Sequence, residues 1–302
     1  MHLKQSRNEI VDYFQSHGRS IFKLREIEKI LAENRADWGL PSSFSAAEFL
    51  AELLKTKRLR ELAFDFPHRK ETRYVWGDVP LEVVLLTLKP KCHFCHFTAM
   101  QLHDLTEQSP TTYYLNHELR PLPASAGGLE QSRLDRAFQN QPRMTKNIAT
   151  TRVPQRGKIR VCLLNGKHTG YLGVVEREMT LADGTSATLR VTDLERTLID
   201  IVVRPFYAGG VAEVLNAYRA AAGRISVNRL AATLRKLGYL YPYHQAVGYY
   251  LEACRQFDEA TVALFHDGFD YEFDFYLTYK MGETEYVPRW RIHVPSGLTP
   301  RR

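Results

Sequence analysis

The sequence predicts an α+β protein, with an N-terminal winged helix-turn-helix over residues 1–80 and a larger mixed α+β C-terminal domain over residues 81–302. Three observations carry this. A chain of 302 residues exceeds one average domain of about 150. The first eighty residues read helix, helix, turn, helix, hairpin. Beyond them, short strand-like runs come first and helices follow.

Each element has a local reason. Ile10, Val11, Tyr13 and Phe14 give the first helix an apolar stripe, and Leu24, Ile27, Ile30 and Leu31 repeat the spacing. Gly39, Pro41, Ser42 and Ser43 make a turn. A third helix starts at Ser45, which stands at capping-box distance from Glu48 and precedes the buried-face residues Phe49, Leu50, Leu53 and Leu54. Leu59 to Phe66 and Thr72 to Trp76 are extended runs around the basic tip Pro67-His68-Arg69-Lys70-Glu71. The alternative reading of this region is a small α+β cap with no DNA role.

Residues 81–125 contain the apolar run Leu81–Leu86, a short histidine-bearing helix and a strand at Thr111–Leu115; Pro121, Pro123, Gly127 and Gly128 mark a loop. Strands follow at Val161–Leu164 and Tyr171–Glu176, then a hairpin in which Asp183-Gly184 joins Glu178–Leu181 to Ala187–Val191. The chain then turns helical through Ile225–Gly238 and Gln245–Phe257. It closes on strand-like runs, Tyr271–Tyr279 and Trp290–Val294, whose aromatics fit a sheet face packed on helices better than base stacking.

Between these parts lies Val191–Gly210, V-T-D-L-E-R-T-L-I-D-I-V-V-R-P-F-Y-A-G-G. Thr192 and Glu195 have capping-box spacing, Leu194, Leu198, Ile201 and Val202 form one stripe, and Pro205 ends the helix at Arg204. Arg196 and Asp200 are spaced for an intrahelical ion pair, and Asp193 suits the positive end of the helix. A metal-dependent nuclease reading of Asp193, Glu195 and Asp200 is therefore the weaker one.

Composition sets the class. Hydrophobic content of 44% and charged content of 25% suit a globular chain. No apolar run approaches the ~18 residues of a membrane span, and the first residues lack a signal peptide's apolar core. A cytoplasmic location is expected, with Cys92, Cys95, Cys162 and Cys254 as thiols. The net charge of +7 is concentrated centrally: from Arg136 to Val175 run eight basic residues and no acidic one. Its natural partner is a polyanion, since neutralised phosphates release counterions; a solvated basic face is the plainer alternative.

The DNA contacts expected from these features are Ser42, Ser43 and Ser45 at the entrance of helix three, Lys55, Lys57 and Arg58 after it, and Arg69, Lys70 and Arg73 on the wing. Arg143, Lys146, Arg152, Arg156, Lys158 and Arg160 would hold flanking phosphates. Glu48 and Glu52 on helix three count against a groove-facing role.

Cys92-His93-Phe94-Cys95-His96 matches the C-x-x-C-H pattern of covalent haem attachment, and with His103 it supplies zinc-type ligands. Haem attachment of that kind needs export, and adjacent Cys95 and His96 rarely face one ion, so buried thiols beside hydrogen-bonded histidines are expected instead. No phosphate loop, nucleophile elbow or catalytic triad is found. No catalytic residue, metal or cofactor is assigned.

Val191–Gly210 resembles the signature of the AbiEi family of antitoxins from type IV toxin–antitoxin (abortive infection) systems. His96-Phe97-Thr98-Ala99-Met100-Gln101-Leu102-His103-Asp104-Leu105-Thr106 also resembles a family segment, with Asp104 where the family often has glycine. Gly248-Tyr249-Tyr250-Leu251-Glu252 and Trp290-Arg291-Ile292 extend the resemblance to roughly residues 40–295. It implies a transcriptional autorepressor that binds inverted-repeat operator DNA as a monomer or weak dimer. It also implies neutralisation of a nucleotidyltransferase-type toxin without a stable complex, with no enzymatic activity of its own. The alternative is a non-enzymatic interaction subunit of a phage-defence assembly.

Overall fold

The computed structural model describes residues 3–109, 111–121, 128–154 and 156–298. Pro123 and Gly127 of the expected loop lie outside these. The chain opens with α1 (Leu3–Ser16), β1 (Ile21–Phe22), α2 (Leu24–Asn34), α3 (Ala46–Lys55), β2 (Leu59–Phe66), β3 (Arg69–Trp76) and α4 (Leu81–Leu86). Next come β4 (His93–Phe94), α5 (His96–Leu102), β5 (Thr112–Glu118), α6 (Gln131–Gln139), β6 (Ile148–Val153), β7 (Gly157–Gly166), β8 (Val174–Thr180) and β9 (Ser186–Thr192). The rest is α7 (Leu194–Val203), α8 (Val211–Ala221), α9 (Val227–Leu237), α10 (Tyr243–Ala253), α11 (Glu259–Asp267), β10 (Phe275–Tyr276), β11 (Thr284–Val287) and β12 (Ile292–Pro295). The architecture is mixed α+β. Among the described residues no helix is long and apolar enough to cross a membrane.

Two compact units emerge, and their border is not a single break after residue 80. One unit is Met1–Pro90 with Asn147–Val161; the other is Lys91–Lys146 with Cys162–Arg302. The first therefore keeps α4 and recaptures β6 and the start of β7 from the middle of the chain. Two buried charges explain this. Glu82 on α4 is 5% exposed and accepts from Arg156 Nη1 at 2.6 Å, so α4 and the β6–β7 hairpin are held together. Arg73 on β3 is 2% exposed, and its guanidinium donates to Thr87 Oγ1 and the Thr87 carbonyl just past α4.

In the first unit β1 pairs antiparallel with β3, and β2 pairs with β3 along its whole length, from Leu59 opposite Trp76 to Phe66 opposite Arg69. The hairpin turn is thus only Pro67-His68, shorter than the sequence suggests, because Arg69, Lys70 and Glu71 already pair in the ladder. β6 lies against β2. The core gathers Ile10, Phe14, Phe22, Ile27, Phe49 and Trp76; Phe14 stacks on Trp76 with ring centroids 4.8 Å apart.

In the second unit, β7 from Cys162 onward joins a sheet of order β7-β5-β4-β9-β8. β4 runs parallel to β9, pairing Phe94 with Val191, and antiparallel to β5. β8 and β9 form the Asp183-Gly184 hairpin; the expected strands Tyr171–Glu176 and Glu178–Leu181 merge into the single strand Val174–Thr180, with Tyr171–Gly173 in a turn before it. Helices α7 to α11 bury Leu198, Ile201, Tyr218, Leu234 and Tyr250 among themselves. A small sheet, β10-β12-β11, closes the unit. Of the aromatic run expected as a strand over Tyr271–Tyr279, only Phe275–Tyr276 is strand, because the Phe273 carbonyl is taken by Gln245 Nε2 at 2.8 Å instead of a sheet neighbour.

Candidate nucleic-acid interface

The α2–α3 corner is locally determined. Arg35, the C-cap of α2, donates Nη1 to the carbonyls of Pro41 (2.8 Å) and Phe44 (2.7 Å), tying the turn to the end of the helix. Trp38 and Leu40 are buried beneath it. No sequence signal marked Arg35, because its role is to satisfy carbonyls that only this turn leaves open. α3 begins where the capping box places it. Ser45 Oγ accepts from the Glu48 N–H, and Glu48 Oε2 accepts from Ser45 N at 2.8 Å and from Ser45 Oγ at 2.7 Å. These bonds, led by the one from the Ser45 backbone, hold the Glu48 carboxyl below the usual carboxylate range. Glu52 is paired with Lys55. Both acidic residues of α3 are thus engaged by neighbours on their own helix.

The expected contact residues divide into distinct groups. Ser42, Ser43, Lys57, Arg58 and Lys70 are exposed, and so are Arg152, Lys158 and Arg160 of β6 and β7. Among the described residues none of those six cations has an ionic partner. Ser45 and Lys55 are exposed but serve the cap and the Glu52 pair. Arg69 is half-buried, ion-paired with Glu71 at 3.0 Å and lying over the Phe66 ring. Arg156 is held by Glu82.

Arg73 requires a correction. It stands on the wing in sequence, but its side chain is buried and its donors go to Thr87, Thr72 and Glu71. A guanidinium so occupied offers nothing to a phosphate.

The acid-free run likewise splits. Arg152, Arg156, Lys158 and Arg160 belong to the first unit, on β6, β7 and the turn between them, whereas Arg143 and Lys146 are exposed in the second unit. Four of its eight cations therefore share a compact body with Lys57, Arg58 and Lys70.

The motif Val191–Gly210 belongs wholly to the second unit, and its first turn and its ion pair make contacts within that unit. The cap of α7 is Asp193, not Thr192: Asp193 Oδ1 accepts from Arg196 N at 2.8 Å. Thr192 ends β9, fully buried, with its hydroxyl on Thr197. Glu195 is consequently free of the capping box and accepts instead from Ser226 N and from Arg229. The Arg196–Asp200 pair forms as the spacing requires, at 2.8 Å and almost wholly buried.

The segments His96–Thr106 and Val191–Gly210 are clasped together, and the first also reaches α8. His103 Nε2 donates to the Thr192 carbonyl at 2.6 Å, and Thr106 donates to Glu213 in the first turn of α8. Burial, opposed by that carbonyl bond, keeps His103 below the ordinary histidine range. Asp104 has φ of 54° and so takes the left-handed conformation that glycine adopts without strain.

Cys92, Cys95 and Cys162 are buried thiols, and burial pushes Cys95 well above the ordinary thiol range. Among the described residues no three His, Cys, Asp or Glu side chains come together as a metal site.

With this geometry established, the chain can be compared with known proteins. No family model matches it, and no curated protein does. It is similar in structure to the crystal structure of the RV2827C protein from Mycobacterium tuberculosis, with a TM-score of 0.60 over 97% of this chain and 91% of that one. The two share a fold.

At 14% identity that likeness carries no residue roles. The site must be read from its own chemistry: short polar side chains at the mouth of a capped helix, and unpartnered cations on a hairpin and on the strands beside it. Such a surface can position a phosphate backbone.

Proposed function

We propose that this chain is a cytoplasmic AbiEi-type antitoxin whose first unit is a winged helix-turn-helix that binds the operator DNA of its own operon. The observation that carries the reading is the gathering of Lys57, Arg58, Lys70, Arg152, Lys158 and Arg160 on one unit, exposed and without acidic partners among the described residues. The order α1-β1-α2-α3-β2-β3, with an antiparallel β2–β3 hairpin, supports it. In this reading α3 enters the major groove, Ser42 and Ser43 meet phosphates at its mouth, and the hairpin grips the adjacent backbone. The second unit carries the antitoxin activity towards a nucleotidyltransferase-type toxin, without a stable complex. No catalytic step is assigned to any residue.

The test is fluorescence anisotropy with the promoter fragment upstream of the gene and a scrambled fragment of equal length. The promoter should bind more tightly, with affinity falling steeply as salt rises, and a Lys57, Arg58, Lys70 to alanine variant should lose the binding. Equal affinity for both fragments at moderate salt overturns the reading.

A further inference from the structure

The second unit contains a cavity of about 290 Å³ that the DNA-binding reading does not use. Four cations line it, Arg143, Lys167, Arg196 and Arg204, against one carboxylate, Asp200. That carboxylate is already neutralised, since its Oδ1 accepts from Arg196 Nε at 2.8 Å. Lys167 is anchored by donating to the Gly238 carbonyl at 3.0 Å. Arg143 and Arg204 are exposed, and among the described residues they have no ionic or hydrogen-bonding side-chain partner. The cavity therefore carries a net positive charge with two arginines uncommitted.

Two buried polar side chains in its lining are more telling than its rim. His96 is 7% exposed, sits in the left-handed region at φ 50°, and has an Nδ1 with no hydrogen-bond partner. Asn116 is 8% exposed, its Oδ1 is likewise without a partner, and Gly166 lies so close to it that a Cβ there would come 2.6 Å from Asn116 Nδ2. Both atoms are closed to water as the side chains stand, and burying a polar atom without a partner costs about 1–3 kcal/mol, so a small shift of the two side chains towards a ligand in the cavity they line would relieve that cost. Tyr207 and Tyr239 add aromatic surface, with Tyr207 edge-on to the His96 ring at 5.5 Å. Burial, then the charges of Arg204 and Arg196, push His96 down to about 3, which places both arginines within electrostatic reach of that ring.

We propose that this cavity binds a small phosphate monoester carrying free hydroxyl groups, between a sugar phosphate and a nucleoside monophosphate in size. Arg143 and Arg204 take the phosphate, for which the planar guanidinium fork is suited. His96, as the neutral Nδ1–H tautomer, donates to it, and Asn116 Oδ1 accepts from a ligand hydroxyl. The volume sits at the lower edge of the ~300–1,000 Å³ of small-molecule sites, which sets the upper size. The proposal stands independently of DNA binding.

The test is isothermal titration calorimetry on the full chain with ribose 5-phosphate, AMP, inorganic phosphate, ribose, adenosine and a 5′-phosphorylated oligonucleotide. One of the two monoesters should bind saturably, about tenfold or more tighter than inorganic phosphate, with no heat from ribose or adenosine. Whichever monoester binds better identifies the source. Arg204→Gln and Arg143→Gln should each weaken binding about tenfold or more, whereas Lys236→Gln, an exposed cation outside the cavity, should not. Thermal melting of the unliganded variants separates lost binding from lost folding. Absence of saturable binding by either monoester, binding unchanged in both arginine variants, or binding confined to a 5′-phosphorylated oligonucleotide overturns the proposal.

Discussion

Gly248 on α10 lies directly against the Trp290 ring: a Cβ built on it would sit 2.0 Å from Trp290 Cζ3 and 2.4 Å from Cε3. Trp290 is fully buried and its Nε1 donates to Glu252, one turn along the same helix, at 2.5 Å. Glycine inside a helix costs about 1 kcal/mol relative to alanine, so the close approach of the indole is what retains it. Gly248→Ala should therefore destabilise the second unit by about 1–3 kcal/mol despite alanine's better helix propensity. Urea unfolding checks this, and adding Trp290→Leu should recover part of the loss by freeing the space. A more stable single variant would contradict the contact.

A second expectation concerns acid. His93 and His244 are pushed down to about 4, and His96 to about 3, in each case first by burial. A histidine whose folded pKa lies below its unfolded value near 6.5 takes up its proton more readily when unfolded. Stability is then fully present above about pH 6.5 and is lost as pH falls towards the folded values, by up to about 1.4 kcal/mol per pH unit for each histidine. Carboxylates with lowered pKa, such as Glu118 and Asp274, add their own loss only as pH falls through the ordinary carboxylate range and below it. Denaturant titrations between pH 7 and 5 isolate the histidines, and His244→Gln should flatten the slope. A slope unaffected by that change would remove His244 from the account.

Neighbouring wing cations should behave oppositely. Lys70 is exposed, so Lys70→Ala should change stability by less than about 0.5 kcal/mol. If it contacts a phosphate, the salt dependence of log K for DNA should lessen by about 0.9. Arg73 is buried on Thr87, and Arg73→Ala should cost about 3 kcal/mol through its lost charged hydrogen bonds. Melting curves and salt titrations of the two variants, run side by side, distinguish a surface contact from an internal clamp.

What could be read from the sequence follows the range of the interactions. α3 starts where Ser45 and Glu48 place it, and the Asp183-Gly184 hairpin forms where the turn residues fall, because caps and turns are decided within four residues. Asp193 displaced Thr192 as the cap because Thr192 is drawn into β9 and buried, a tertiary demand that shifts the register by one. Arg73 alternates along its strand like any wing cation, and only the position of Thr87 reveals its burial. The return of Arg152 to Arg160 to the first unit depends on Glu82, some seventy residues away in sequence. The cavity was least legible of all: its lining comes from strands, helices and loops whose residues show no common spacing.

The Arg196–Asp200 pair gives the sharpest discrimination between structural and catalytic readings of Val191–Gly210. Both side chains are more than nine-tenths buried, and Arg196 Nη1 also donates to the Leu172 carbonyl at 2.7 Å. Asp200→Asn keeps the shape but leaves the guanidinium buried without its counter-charge, which should cost about 3–5 kcal/mol. Because the pair is more than nine-tenths buried, raising ionic strength should soften the loss less than it would for an exposed pair such as Lys29–Glu33. The double replacement Arg196→Met, Asp200→Leu should be far milder than Asp200→Asn, since apolar residues of similar volume remove both desolvation penalties. A metal-dependent nuclease built on Asp193 and Asp200 expects the reverse: Asp200→Asn would retain stability and abolish metal-dependent cleavage. Urea unfolding of the parent chain, Asp200→Asn and the double variant at low and high salt, alongside a cleavage assay, decides between a buried clamp and a metal ligand.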